Sequence, residues 1–199
     1  MNAATTAVGL KNLEAWLGSE HWDVIHFNFG LHDLKIMDDG QRQVPLPDYE
    51  NNLRTIVQRC AKTGARLIWA ATTPVPDAKV SPPRRSADVA AYNAVAKRIM
   101  NDAGVAIDDL YALVNPRLEE LQLPANVHYT PAGYDVLGRQ VAESILRALD
   151  VAQADSLADS LPNAPTQVAR CAPCPCGSGR KYKRCCGAEF HPAANPRVA

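Results

Sequence analysis

Over residues 1–150 the apolar positions switch repeatedly between a helical period and short continuous runs. Leu10, Leu13, Trp16 and Leu17 recur at helical spacing and predict a helix over roughly 8–18. WDVIHFNFG (22–30) is an aromatic and β-branched run closed by glycine, the signature of a strand. In PDYENNLRTIVQRCAKTG, Leu53, Ile56, Val57 and Cys60 share one helical face, Asp48 is placed to cap the start and Gly64 to stop the end. RLIWAATTPVP (66–76) reads as a second strand running into a Pro-rich loop. SADVAAYNAVAKRIMNDAG (86–104) reads as a helix capped by Ser or Asp, VAID (105–108) as a third strand, and NPRLEEL as the start of a short helix. PAGYDVLGRQVAESILRALD (131–150) is predicted as the closing helix, with Tyr134, Leu137, Val141, Ile145 and Leu149 as its buried stripe.

Strands separated by helices at this spacing form βαβ units, so the fold class is α/β: a parallel sheet between helical layers on both faces. Chemistry in such sheets sits at the carboxyl ends of the strands. Here those ends are FNFGLHD, TTPVP and the loop LPANVHYTP before the last helix. From 151 to 170 the sequence turns to Ala, Ser, Asp, Asn and Pro with little periodicity and reads as a linker.

Composition narrows the picture. The 199 residues are 47% hydrophobic, enough for a core, and carry no net charge, which by itself points to neither nucleic acid nor a membrane. The charge is uneven. From Val168 onward six basic residues (Arg170, Arg180, Lys181, Lys183, Arg184, Arg197) face one acid, Glu189, so that segment is +5 and the rest −5, a hint of an anionic partner for the tail. No apolar run approaches the ~18 residues of a spanning helix. The N-terminus lacks the basic start and apolar stretch of a secretion signal, and a cytoplasmic location is expected.

Five of the six cysteines fall between Cys171 and Cys186, in CAPCPCGSGRKYKRCCG. Such crowding reads as metal binding in a reducing compartment rather than a disulfide framework. Cys174 and Cys176 form one close pair, Cys185 and Cys186 another, joined by a reversal at Gly177, Ser178 and Gly179. Two such pairs suit the tetrahedral four-thiolate geometry of one structural Zn²⁺. Arg180, Lys181, Lys183 and Arg184 lie between them and offset the net −2 charge of that complex. The string closely resembles the SEC-C motif, the zinc-binding tail of the bacterial protein-translocation ATPase. The resemblance implies a structural zinc and a docking surface for another protein. Cys171 lies outside the pattern, and its role is open.

The segments WDVIHFNFGLHDL and NVHYTPAGYDVLG resemble the third and fifth sequence blocks of the SGNH (GDSL) hydrolases, a resemblance that covers roughly 1–150. It implies a three-layer, flavodoxin-like α/β/α domain with a serine-triad mechanism acting on esters, an acetyl or acyl group on a small molecule or carbohydrate. Carried over residue by residue, His128 before T-P-A-G-Y takes the place of the general base. Gly30, His32 and Asp33 match the family's G-x-N-D with His for Asn. His32 could donate to an oxyanion or only tether a loop, and Asn28 is a second oxyanion candidate.

Two departures stand out. Ala125 occupies the position where D-x-x-H needs its acid, and an imidazole without that carboxylate is expected to lose tautomer control. None of the serines (Ser19, Ser81, Ser86, Ser144, Ser156, Ser160, Ser178) lies in a G-D-S context. Asn2 and the alanines after it resemble a remnant of the family's second block, so the domain is expected to be incomplete at its N-terminus. In the family's strand order the missing first strand would lie beside 22–29, leaving that strand as an apolar edge open to a partner.

The expected organisation is therefore an SGNH-like domain at 1–150, a linker at 151–170 and a zinc knuckle at 171–190. Two functions compete: an ester hydrolase by descent, impaired in this form, and a non-catalytic adaptor that docks another protein through the zinc module.

Overall fold

The computed structural model describes residues 4–77 and 79–160, and beyond them Pro173, residues 178–181 and Arg184; for 152–160 only the backbone course is described. The chain divides into two units, Met1–Ala154 and Asp155–Ala199. Along the chain the order is α1 (Thr6–Leu17), β1 (Val24–Phe27), α2 (Leu46–Ala61), β2 (Arg66–Ala70), α3 (Ser86–Asp102), β3 (Ala106–Asp108), α4 (Leu110–Val114), a 3-10 turn (Asn115–Arg117), α5 (Leu118–Leu121) and α6 (Pro131–Ser160).

The three strands form one parallel sheet in the order β1-β2-β3, with Val24 paired to Arg66 and Ile68 to Ala106. Partnered residues of a parallel ladder point to the same face, and successive residues to opposite faces. Phe29, Trp69 and Ala71 enter one core with Leu13 of α1, Leu53 and Ile56 of α2, and Val89, Tyr92 and Ala96 of α3. The helix α2 packs between α1 and α3 in that layer. Gly9 lets α1 approach closely, because a Cβ there would sit 2.6 Å from Phe29 Cζ. The opposite face carries His26, Ile68, Ala70 and Asp108, and α6 lies on that side. Asp108 is 1% exposed. Its carboxylate accepts from Gln140 Nε2 of α6 at 3.0 Å and meets His26 Nε2 at 3.0 Å. Through Asp108 these contacts tie both outer strands to α6.

Several boundaries differ from the sequence reading. The helix α2 starts at Leu46, with Pro45 at the cap position and no side-chain cap. Asp48 is therefore inside the first turn, where its charge still complements the helix dipole. The second strand pairs only over Arg66–Ala70, and Thr72 onward turns away as site loop. α3 is preceded by Arg85 without a side-chain cap, and Ser86 Oγ instead donates to Asp77 Oδ1 at 2.7 Å. The closing helix runs ten residues past Asp150, so 151–160 of the stretch read as linker are helical, while 161–170 lie outside the described residues. No glycine or proline interrupts VAQADSLADS, and the first proline after it is Pro162. Tyr134, expected in the buried stripe, is 52% exposed and meets Tyr129 edge-on at 6.0 Å. Leu137, Val141, Ile145 and Leu149 are half-buried.

β1 is an outer strand of the described sheet. Along it runs an apolar groove of about 400 Å³ bordered by Trp16, Leu17, Trp22, Ile25 and Phe27.

Candidate active site

The sheet delivers two of the sequence candidates to one place. Asn28 and His32 flank Phe29 and Gly30 where β1 ends. Gly30 has φ 144, and a Cβ there would collide with Thr72 Oγ1, so this crossing admits only glycine. Thr72 Oγ1 donates to Phe29 O at 3.1 Å, and Asn93 brackets the Thr72 backbone, accepting from its N at 3.0 Å and donating to its O at 2.8 Å. Both amide hydrogens of Asn28 are engaged, with Ala70 O at 2.7 Å and Thr72 Oγ1 at 3.3 Å. As placed, Asn28 fastens the ends of β1 and β2 together. An oxyanion donor at this position would first have to give up one of those bonds.

His32 is half-buried, and its pKa is lowered by burial and then by the positive charges of Lys35 and Arg84. The ring is therefore neutral at neutral pH. One of its nitrogens carries hydrogen and can donate without bringing a cation into the site. Arg84 is itself held by Leu31 O at 2.8 Å and Pro82 O at 3.0 Å. Next to His32, Asp33 is fully buried. Its Oδ1 accepts from Thr6 N at 2.8 Å and Thr6 Oγ1 at 2.5 Å, pinning the start of α1 under the turn. Burial raises its pKa against the opposing pull of the Thr6 bonds and of the Asp33 and Gly30 backbone N–H groups.

His128 lies in a separate loop. Gln122 and Tyr129 pair as an isolated antiparallel bridge, and within it Leu123 N donates to His128 O at 2.9 Å. Asn126 N reaches Leu123 O at 3.2 Å, closing a turn with Pro124 second and Ala125 third. Ala125 has φ 49, the left-handed value that the third position of a type II turn requires. Thr130 joins loop to helix. Its Oγ1 accepts from Gly133 N at 3.1 Å, capping α6, and donates to Leu121 O at 3.1 Å. His128 is exposed. Its Nδ1 lies 2.7 Å from Asn126 Oδ1, and its backbone N donates to the same oxygen at 3.1 Å. Ala125 offers the imidazole no polar group, and the atom that lies against Nδ1 comes instead from position 126. Sequence reasoning missed Asn126, although an Asn whose oxygen meets the N–H two residues on is a familiar turn pattern. It also missed the buried Asp108. A hollow of about 840 Å³ lined by Pro76, Asp77, Arg117, Leu123 and Ala125 adjoins this loop.

The four cysteines expected to bind metal, Cys174, Cys176, Cys185 and Cys186, lie outside the described residues, as does Cys171. Among their described neighbours, Pro173 and Lys181 form an antiparallel bridge, Gly179 has φ 71 in the reversal, and Arg184 N donates to Lys181 O at 2.8 Å. Among the described residues, Cys60 is a buried thiol whose pKa burial pushes up to about 11, so it is unreactive. No helix among them is long and apolar enough to cross a membrane.

A parallel sheet flanked by helices, with a histidine loop ahead of the last helix, defines the class as a layered α/β domain. The model of the GDSL-like lipase/acylhydrolase family matches residues 1–136, and the chain belongs to that family. A SEC-C motif matches residues 172–188. Solved structures share the fold. A lipase/acylhydrolase from Enterococcus faecalis superposes with a TM-score of 0.62 at 22% identity, over 71% of this chain and 70% of that one. The acetyl xylan esterase AlAXEase gives 0.61 at 14%, over 73% and 78%. The acetylxylan esterase Axe2 of Geobacillus stearothermophilus gives 0.58 at 21%, over 72% and 67%. Curated relatives match shorter stretches. The protein translocase subunit SecA of Aromatoleum aromaticum is 34% identical over 92 residues, 45% of this chain and 9% of its own length. A UPF0225 protein of Photorhabdus laumondii is 71% identical over 21 residues, 11% of this chain and 13% of its own. The chain thus spans a small part of the curated relatives it matches.

Proposed function

We propose that the first unit is an acyl-ester hydrolase module with His128 as general base and His32 on the oxyanion side, and that the C-terminal motif binds one structural zinc through Cys174, Cys176, Cys185 and Cys186. The observation that carries the first part is the Asn126 contact, which leaves Nε2 of His128 as the ring's proton acceptor. Short acyl groups, including acetyl groups on carbohydrate, are the substrate class, supported by the likeness to a lipase/acylhydrolase and to acetyl xylan esterases. Within these 199 residues no serine stands in a G-D-S context and no carboxylate stands at 125, so the chain by itself is a poor catalyst. A base with no positioned hydroxyl can only activate water. Binding and oxyanion effects then leave roughly 10³-fold over solution, far below enzyme turnover.

The test is release of chromophore from a short-chain aryl ester, comparing this chain with one preceded by a G-D-S-bearing strand. Slow turnover by the first and fast turnover by the second, abolished in both G-D-S→G-D-A and His128→Ala, is the expected result. Fast turnover by the 199 residues alone would refute the reading and demand another nucleophile.

The described neighbours fit the zinc assignment, because the Pro173–Lys181 bridge returns the chain on itself after the first cysteine pair. A bound Zn²⁺ would supply folding free energy to a segment too short for a core of its own. One zinc per chain is expected by elemental analysis. Cys→Ser at any of the four should strip it sharply, whereas Cys171→Ser should not. Metal-free wild type would end the assignment. The SEC-C match also favours a second reading, an adaptor that docks another protein through this module in the cytoplasm, for which ester turnover would be irrelevant.

A further inference from the structure

The D-x-x-H pattern fails in this chain at the acid, yet the base is not left to rotate. A single oxygen, Asn126 Oδ1, lies 2.7 Å from His128 Nδ1 and 3.1 Å from His128 N. The two contacts together decide an ambiguity that one alone would leave. A backbone N–H can only donate, so the amide atom facing it is the carbonyl oxygen and not the NH₂ group. That oxygen can only accept, so the hydrogen shared with the ring belongs to Nδ1. The neutral imidazole is then the Nδ1–H tautomer with the lone pair on Nε2.

We propose that Asn126 is a positioning residue for His128, a neutral amide that takes over the orienting task of the absent carboxylate from a place two residues before the histidine. The proposal rests on the reading of His128 as the base. An Asn put directly in place of a triad acid can turn its NH₂ toward the imidazole and trap the wrong tautomer. Here the His128 N–H holds the carbonyl inward, so orientation survives the loss of charge. What the amide does not supply is compensation for the imidazolium formed when Nε2 takes a proton. The loop explains why 126 and not 125 does this work. Position 125 is the left-handed residue of a turn closed by Asn126 N and Leu123 O, and it carries a methyl group only. The same turn, tied by Leu123 N to His128 O, sets Asn126 two residues from the ring it holds.

Long-range ¹H–¹⁵N correlation of the full chain above pH 8 reads the tautomer directly, with the His128 signals assigned by their loss in His128→Gln. The parent should be almost wholly Nδ1–H. Asn126→Ala should shift the ring to a mixture led by Nε2–H, and Asn126→Asp should restore Nδ1–H. In the chain preceded by a G-D-S strand, Asn126→Ala should lower kcat roughly 10- to 100-fold with KM little changed, and Asn126→Asp should rescue it. An Nε2–H parent, or an Asn126→Ala ring that stays Nδ1–H, overturns the proposal. If the tautomers behave as expected but His128→Ala leaves hydrolysis intact, the base assignment falls and the positioning role falls with it. The two failures are therefore distinct.

Discussion

Burying an ionisable side chain makes folding depend on pH, and Asp33 is the residue where this chain exposes itself to that cost. The carboxyl is fully buried, and one oxygen is bonded twice by Thr6. Burial outweighs the Thr6 bonds and the backbone N–H groups of Asp33 and Gly30, so its pKa is raised above the ordinary 3.8. The folded state then holds the proton more tightly than the unfolded state does, and stability falls as pH rises from the unfolded value through the raised one. An asparagine in its place would keep an acceptor for Thr6 without a charge. Chemical denaturation from pH 3.5 to 7 should show Asp33→Asn gaining on the parent as pH increases. A difference that stays flat, or moves the other way, would mean that Asp33 is not the penalised group. Residues of this kind were only partly legible beforehand. The G-x-x-D pattern singled out Asp33 and His32, because short motifs survive as strings. Asn126 escaped, because its role depends on a turn that brings positions 126 and 128 together, whereas the D-x-x-H string points to 125.

At the scale of elements, α6 carries two glycines with opposite expectations. Gly133 lies in the first turn, where a Cβ would run into the backbone oxygen of Leu121 and come 3.0 Å from Tyr129 Cδ1. Gly138, one turn and a half later, has nothing within 4 Å. Helix propensity favours alanine over glycine by about 1 kcal/mol at either place. Gly138→Ala should therefore stabilise by up to about 1 kcal/mol, while Gly133→Ala should destabilise by about 1–3 kcal/mol, because backbone cannot yield as a flexible side chain can. Urea unfolding of the two variants checks this. Equal shifts would show that the approach of α6 to Leu121 is loose in solution. The periods in the sequence placed every strand and every long helix, since apolar spacing is imposed by the faces an element must bury. They misjudged where the elements stop. β2 ends at Ala70, with one further bond from Ala71 N to Asp108 O, although the segment read as strand continues to Pro76, because Thr72 is drawn off by Asn93 and Phe29. The helix α6 runs on to Ser160 because nothing in VAQADSLADS forbids it.

For the folded first unit as a whole, the decisive feature is that the helices on the two sides of its sheet are unequally buried. On one face α1, α2 and α3 close over Trp69, Leu53, Ile56 and Met100, each at most 1% exposed. On the other, α6 presents Leu137, Val141, Ile145 and Leu149, none of which is fully buried. The polar contact of Asp108 with His26 and Gln140 sits on that side, where Ile68, Ala70 and Asp108 of the sheet are themselves buried. The asymmetry was not legible from the sequence, where both helical layers showed clean stripes and Tyr134 counted among the buried positions. Periodicity reports which side of a helix is apolar, not how much of that side finds a neighbour. Free energy should follow contact rather than pattern. Leu53→Ala removes a fully enclosed side chain and leaves a cavity, so it should cost about 3–4 kcal/mol. Ile145→Ala removes atoms already half in water, so the transfer of roughly half the side chain is lost with little cavity, about 1 kcal/mol. Denaturant midpoints for the two variants, with unchanged slopes, should therefore differ by a factor of about three in their shift from the parent. If Ile145→Ala proved as costly as Leu53→Ala, the α6 face would have to be sealed in solution by something further.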